Sequence, residues 1–202
     1  MFTFNPKNFA MRSKLLLSVL LTLFVTAGLF AQKYTNTEMS EVTKTYQGNE
    51  FSSNKTLLEN LQEANGFSYF SEILENYSDE IFTDNFMGTV FVISDAGLEK
   101  AKEEKDSFDY HDPAYQKFQL QFFIIPGRLD AHAINKAVEK GGGSARFKTV
   151  SGTGILIRKS GDELYLYGTD DERSKIIATD FFHRHGFFHI VEGPLVPPIS
   201  EK

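Results

Sequence analysis

GFFHIVEGPLVPP, at residues 186–198, reads as a short buried strand that ends in turn residues. The segment TVFVISD at residues 89–95 has the same form, because β-branched and aromatic residues run into a polar turn. Apolar side chains dominate both segments, as expected of strands that are buried in a core. The sequence therefore predicts two core strands that lie far apart in the chain, and no single residue in either of them indicates a reaction.

The patterns around these two strands place helices first and hairpin-like strands last. Such an order is typical of the α+β class and not of alternating βαβ units. A polar loop broken at Pro113 is expected over 106–116, followed by a buried strand over 120–125 that Pro126 and Gly127 close. The predicted helices cover 53–66, 67–77, 95–105 and 131–140, and the late strands cover 145–150, 154–159, 163–167, 175–180 and 187–192.

The N-terminal region has the composition of a secretory signal peptide. Arg12 and Lys14 precede an apolar run over residues 15–30, and the small residue Ala31 follows. The run is shorter than the roughly 20 apolar residues of a membrane-spanning helix. We therefore expect a cleaved signal at 1–31, with an uncleaved anchor as the alternative.

After this cleavage, the remaining chain is expected to consist of a polar linker or arm over 32–52 and one folded domain over 53–199. Met11 is an alternative start that leaves the signal intact. The chain has no cysteine, which excludes a disulfide, a thiolate metal site and a thiol-linked lipid anchor. The expected location is secreted, periplasmic or cell-surface, without a stable membrane span once the signal is removed.

The charge balance argues against a nucleic-acid partner. The chain carries a formal charge of −6, and loss of the three cations of the predicted signal leaves −9. Phosphate binding requires clustered Lys and Arg side chains, and the linear sequence shows no basic cluster. We expect no nucleic-acid partner, and the sequence leaves the oligomeric state open.

Three histidines, at 183, 185 and 189, are the candidates for metal binding. On one continuous strand they would share a face, as a zinc site requires. Gly186 marks a turn that separates His189 from the other two, and no carboxylate stands at a matched spacing. We therefore predict a surface turn at His183 and His185 and a packed, hydrogen-bonded His189. No metal, cofactor or catalytic residue is predicted, and the chain is not expected to be an enzyme.

Aromatic residues are the second candidate for function. The chain has 20 Phe, 8 Tyr and no Trp, with Phe doublets at 122–123, 181–182 and 187–188. Burial of the doublets between layers is one interpretation, and an aromatic surface that binds sugar or protein is the other. The candidate binding surface consists of Tyr110, Tyr115, His183 and His185.

The two core strands and their turns resemble the signature blocks of fasciclin (FAS1) domains. The segment from Thr89 and the helix after it resemble the first block, and residues 176–198 resemble the second, with a polar-Gly turn before FFHIV and a Leu-x-Pro-Pro ending. The resemblance covers residues 53–199. It implies that the structural signature residues are Thr89, Gly186, His189, Pro197 and Pro198.

The resemblance implies a compact wedge of two β layers with helices packed around one edge, and a role in cell-surface or matrix adhesion. Phe122-Phe123 stands where the family often has a Tyr-His pair associated with receptor adhesion, so integrin-type binding is not expected. The expected function is a secreted or surface-associated, non-catalytic module that contacts a protein or polysaccharide at a cell surface, matrix or envelope. The alternative is a small-molecule or carbohydrate-binding module with a pocket lined by aromatics. Binding loops are expected at 106–116 and 168–174.

Overall fold

The computed structural model describes residues 41–83, 85–105, 108–168 and 172–195. The predicted signal over 1–31 and the Pro197-Pro198 ending lie outside the described residues. Within the described ranges, no helix has both the length and the apolar composition that crossing a bilayer requires.

Helices and strands are numbered in chain order. The helices of the described residues are α1 (Leu57–Gln62), α2 (Ser68–Tyr77), α3 (Asp95–Glu104), α4 (Pro113–Phe122) and α5 (Ala131–Lys140). The strands are β1 (Thr43–Tyr46), β2 (Asn49–Ser52), β3 (Gly88–Ile93), β4 (Ile124–Pro126), β5 (Ser144–Lys148), β6 (Gly154–Ser160), β7 (Glu163–Tyr167), β8 (Arg173–His183) and β9 (Gly186–Val191).

One seven-stranded sheet organises the domain, in the order β4-β3-β9-β8-β7-β6-β5. The two segments that the sequence predicts as core strands are β3 and β9, and they pair side by side in parallel. Val90 lies opposite Phe188 and Val92 lies opposite Ile190, all fully buried. The other neighbouring strands of the sheet pair antiparallel.

The predicted α+β class is confirmed. The β structure is one curved sheet rather than two separate layers. The N–H of Val150, just after β5, donates to the C=O of Ile124 in β4 at 2.9 Å. The two edge strands therefore approach each other, and the sheet is nearly a closed barrel.

The predicted loop over 106–116 and strand over 120–125 are wrong where α4 replaces them. The side chain of Asp112 accepts a hydrogen bond from the N–H of Tyr115, and Pro113 occupies the first turn of α4. Both features are typical of the start of a helix. A short apolar run does not distinguish a strand from a buried helix segment by itself. The buried residues of α4 follow helical spacing and are Gln116, Gln119, Leu120 and Phe122.

Residues 43–52 of the predicted linker form an antiparallel hairpin of β1 and β2, and residues 32–40 lie outside the described residues. The turn residues of the hairpin, Gln47 and Gly48, both have positive φ, the geometry of a tight two-residue hairpin turn. Phe51 is fully buried. Its ring packs edge-on against three aromatic rings, those of Phe67, Phe181 and Phe188. The folded unit therefore begins before residue 53.

Candidate functional site

Thr89 and His189 form a buried polar junction beneath the loop that follows β4. The Thr89 hydroxyl donates to the C=O of Gly127 and accepts from the N–H of Leu129, both at 2.8 Å. His189 Nδ1 accepts from the N–H of Asp180 at 3.1 Å, so the proton lies on Nε2, which donates to the C=O of Leu129 at 2.9 Å. Both side chains are fully buried, so they hold the loop in place and do not face solvent.

Gly186 begins β9 at the closest approach between β9 and β3. It pairs with Gly88, and the N–H of Gly88 donates to the C=O of His185 at 2.8 Å. The φ of Gly186 is +140°, and a Cβ added there would lie 2.0 Å from the carbonyl oxygen of Gly88. Only glycine satisfies both the backbone conformation and the contact.

The structure corrects the predicted surface turn at His183 and His185. His183 is 3% exposed, and its Nδ1 accepts from the N–H of His185 at 3.3 Å. The ring of His185 is half-buried and lies against the ring of Phe82, with 5.7 Å between centroids. His183 is buried because β8 extends to residue 183, three residues beyond the predicted strand end.

Acid is expected to destabilise the fold through His183. Burial lowers the pKa of His183 to about 3, from 6.5 for an exposed histidine. Because the folded pKa is depressed, the unfolded chain binds the extra proton first, and stability falls as the pH decreases from about 6.5 towards 3. Going from about pH 7 to about pH 4 should lower the free energy of unfolding by about 3 kcal/mol through this residue. Burial also lowers the pKa of His189, which acts in the same direction.

Urea unfolding at both pH values measures this loss, and His183→Phe is the matched variant because it keeps a buried ring without a titrating group. The variant should lose less stability on acidification than the unsubstituted chain. An equal loss in both proteins would contradict the assignment to His183.

The tyrosines of the predicted binding surface belong to a mostly buried cluster between α2 and α4. Tyr110 is 3% exposed, and its C=O accepts from the Tyr69 hydroxyl at 2.9 Å. Gln119 accepts from the same hydroxyl through Oε1 and donates through Nε2 to the Tyr115 hydroxyl, each at 2.9 Å. Phe108 packs on Tyr110 and Tyr115 with centroids 4.8 and 4.7 Å away. Burial raises the pKa of Tyr69 and Tyr115, so both phenols stay neutral.

Tyr110, Tyr115, His183 and His185 therefore do not form one exposed surface. Tyr110 and His183 are buried, and Tyr115 and His185 are half-buried. Each of these four side chains packs where a turn or a helix meets the core. Such burial depends on contacts between distant residues, which the local sequence does not reveal.

Four of the six rings in the aromatic doublets belong to the core. Phe122, Phe123, Phe181 and Phe188 are at most 1% exposed. The rings of Phe181 and Phe188 stack on each other with 5.0 Å between centroids. The other two rings, Phe182 and Phe187, are half-buried with 4.9 Å between centroids, so the doublets are buried only in part.

A charged cleft opens between α3, the start of β8 and the segment that follows β9, beside the two predicted binding loops. Lys105, where the first loop begins, forms an ion pair with Glu172 of the second loop. Lys100 Nζ lies 2.9 Å from Glu192 Oε1 on the opposite wall. The guanidinium of Arg173 lies over the ring of Tyr165 at 5.0 Å. Side chains of both signs therefore surround the cleft.

Gly97 allows the two walls of the cleft to come together. A Cβ at Gly97 would lie 2.3 Å from the carbonyl oxygen of Glu192, so the backbone of α3 packs directly on the end of β9. The hydroxyl of Ser174 donates to the C=O of Gly193 at 2.7 Å and fixes the same segment to β8. The cleft that results has a volume of about 90 Å³.

Sequence reasoning placed binding in these loops but did not identify the paired charges. Lys105 and Glu172 are 67 positions apart, and opposite charges beside two predicted loops were the only available signal. In the described ranges, no three His, Asp or Glu side chains are arranged to hold a metal ion.

A family model for the fasciclin domain matches residues 65–197. Among solved structures, a FAS1 domain pair from the insect cell adhesion molecule Fasciclin I is similar to this chain, with a TM-score of 0.58 and 13% sequence identity. The match covers 77% of this chain and 66% of that chain. A comparison with curated proteins gives no match. The structural likeness confirms the predicted fasciclin-like fold, and the family match includes both β3 and β9. The chain belongs to the fasciclin domain family.

Proposed function

We propose that the protein is a secreted or surface-associated adhesion module that contacts a protein or polysaccharide at a cell surface, matrix or envelope. Membership of the fasciclin family supports a binding or adhesion role in general. The charged cleft carries the finer proposal, because it lies beside both predicted binding loops and is built on α3 and the sheet. Charges of both signs on rigid elements favour the selection of one partner over others.

The size of the cleft favours a macromolecular partner over a small molecule. Its volume of about 90 Å³ is below the roughly 300–1,000 Å³ of typical small-molecule sites. A cleft of this size accommodates one side chain or one sugar substituent that projects from a larger surface. The four doublet rings in the core, Phe122, Phe123, Phe181 and Phe188, give no support to the alternative of a pocket lined by aromatics.

A catalytic role has no support from the histidines that the sequence singled out. His189 uses both ring nitrogens in hydrogen bonds to the backbone, and His183 is buried. Burial lowers the pKa of both rings, which keeps them neutral near pH 7. Neither ring is placed to exchange a proton with a substrate in solvent.

Binding to surface or matrix material from the source cells tests this proposal. The double variant Lys100→Glu/Lys105→Glu reverses the two cleft lysines, each of which is exposed and ion-paired. We expect about a tenfold loss of affinity, because like charges would then face the partner groups that the cations attract. Biolayer interferometry of the purified full-length chain on immobilised matrix material measures the affinity.

The matched control is Lys136→Glu/Lys140→Glu, which makes the same charge change on exposed positions of α5. It should bind within about twofold of the unsubstituted chain, since substitutions distant from an interface have little effect. Equal losses in the two variants would mean that net charge, and not the cleft, controls binding.

A further inference from the structure

An open groove separates the two edge strands of the sheet, β4 and β5. It has a volume of about 800 Å³, and half-buried apolar side chains of Leu129, Phe147 and Val150 contribute to its lining. The groove lies on elements that differ from those of the charged cleft. It is therefore a second surface, with its own chemistry.

The backbone of β5 presents hydrogen-bonding groups to this groove. Thr149 donates from its N–H to the C=O of Thr153, on the side of the hairpin partner β6. In an antiparallel pair, alternate residues direct their N–H and C=O towards the partner strand, and the residues between them direct these groups away. Arg146 and Lys148 therefore direct their backbone groups away from β6 and towards the groove. Val150, two residues after Lys148, has the same backbone orientation, and its N–H donates to the C=O of Ile124 in β4.

Pro126 prevents β4 from closing this edge. If antiparallel pairing continued from Val150 and Ile124, the next pair of residues would be Lys148 and Pro126. Proline has no N–H to donate, so the ladder ends there. In the described residues, β5 has β6 as its single neighbouring strand. The outward-facing backbone groups of Arg146 and Lys148 therefore remain available for pairing with a further strand.

The charged side chains of the groove lining are cations. Arg146 and Lys148 are exposed and share one face of β5. Neither forms an ion pair with a carboxylate in the described residues, and Arg146 Nη1 donates instead to the C=O of Gly154 at 3.0 Å. Arg128 follows Pro126 in the chain and is exposed, with its guanidinium over the ring of Phe187 at 5.3 Å. The groove is thus locally positive in a chain with a net charge of −6.

We propose that this groove binds an extended acidic peptide segment of another protein, which adds as a strand beside β5. The peptide backbone pairs with Arg146 and Lys148, and its carboxylates lie opposite the cations of the same two residues. Apolar residues that alternate with the acidic ones lie on the opposite face of the added strand, the face of Phe147. A peptide fits better than an acidic polysaccharide, because the edge offers backbone pairing and its one aromatic ring, Phe147, is half-buried.

The probe is a fluorescein-labelled octapeptide of alternating Glu and Val, titrated with the full-length chain in fluorescence anisotropy. Saturable binding is expected, and Arg146→Glu/Lys148→Glu should weaken it about tenfold. Lys136→Glu/Lys140→Glu, with the same charge change on α5, should stay within about twofold. The amide NMR signals of residues 146 and 148 should shift on binding.

Two further probes distinguish strand addition from general anion binding. The same octapeptide with alternate backbone nitrogens methylated keeps its charge but loses the donors that face β5, and it should bind at least about tenfold more weakly. Equal affinity of the methylated and parent peptides would overturn the proposal. Binding of dextran sulfate without binding of the peptide would also overturn it and assign the groove to a polyanion. The cleft variants test the proposed adhesion function separately, so failure of one proposal leaves the other intact.

Discussion

Replacing Gly186 by alanine is expected to lower the free energy of unfolding by about 4 kcal/mol. The added Cβ would lie 2.0 Å from the carbonyl oxygen of Gly88, and the φ of +140° is strained for any residue with a side chain. Such backbone strain costs about 1–3 kcal/mol, and forcing an atom into a packed contact costs about 1–3 kcal/mol more. Urea or guanidinium unfolding followed by circular dichroism measures the change.

Gly161→Ala is the matched control, because Gly161 has a φ of +62° but no atom within 4 Å of an added Cβ. It should cost only about 1 kcal/mol, the strain of a left-handed residue alone. If the two variants lose the same stability, the close contact between β3 and β9 does not hold the centre of the sheet.

Replacing Phe51 by alanine is expected to lower the free energy of unfolding by about 3–5 kcal/mol. Phe51 is the residue by which the β1–β2 hairpin enters the core, and its ring is 0% exposed. Removal of the ring leaves a cavity bordered by Phe67, Phe181 and Phe188. Chemical unfolding of the full-length chain measures the loss.

Phe182→Ala makes the same deletion at a half-buried ring of the sheet. It should cost about 1–2 kcal/mol, in proportion to the smaller apolar area that it removes from burial. A loss for Phe51→Ala no greater than that of Phe182→Ala would mean that the hairpin is an accessory arm and that the linker predicted over 32–52 was the better description.

Local patterns in the sequence were sufficient for most elements of the fold. The apolar runs of β3 and β9 and the periodicity of α2 and α5 each indicate one structure. The apolar run over 120–125 does not, because its first half continues the helical spacing of α4 and its second half forms β4. Asp112 and Pro113 were the available signal for that helix.

Features that depend on contacts between distant residues were less accessible to sequence reasoning. Phe51 stands among polar residues, and its burial is visible only when β2 packs near β8. His183 resembles a turn residue until β8 extends to include it. The partners of His189, at Leu129 and Asp180, are on separate elements. The cleft and the groove likewise require the sheet to be assembled before their charges come together.

The structure separates the residues that specify the fold from those available to a partner. Thr89, Gly186 and His189 are buried where β3, β9 and the loop after β4 meet. We propose that they are structural signature residues, whose substitution affects partner binding only by unfolding the domain. The exposed charges of the cleft can be changed without removing a core contact.

Hydrogen–deuterium exchange on the full-length chain, free and bound to surface or matrix material from the source cells, tests the adhesion proposal most directly. Binding should slow exchange at residues 97–105 and 172–174, which form the walls of the cleft. The Lys100→Glu/Lys105→Glu variant should show weaker protection there at the same concentration of this material. Slowed exchange confined to other parts of the domain, with the cleft amides unchanged, would contradict the proposal.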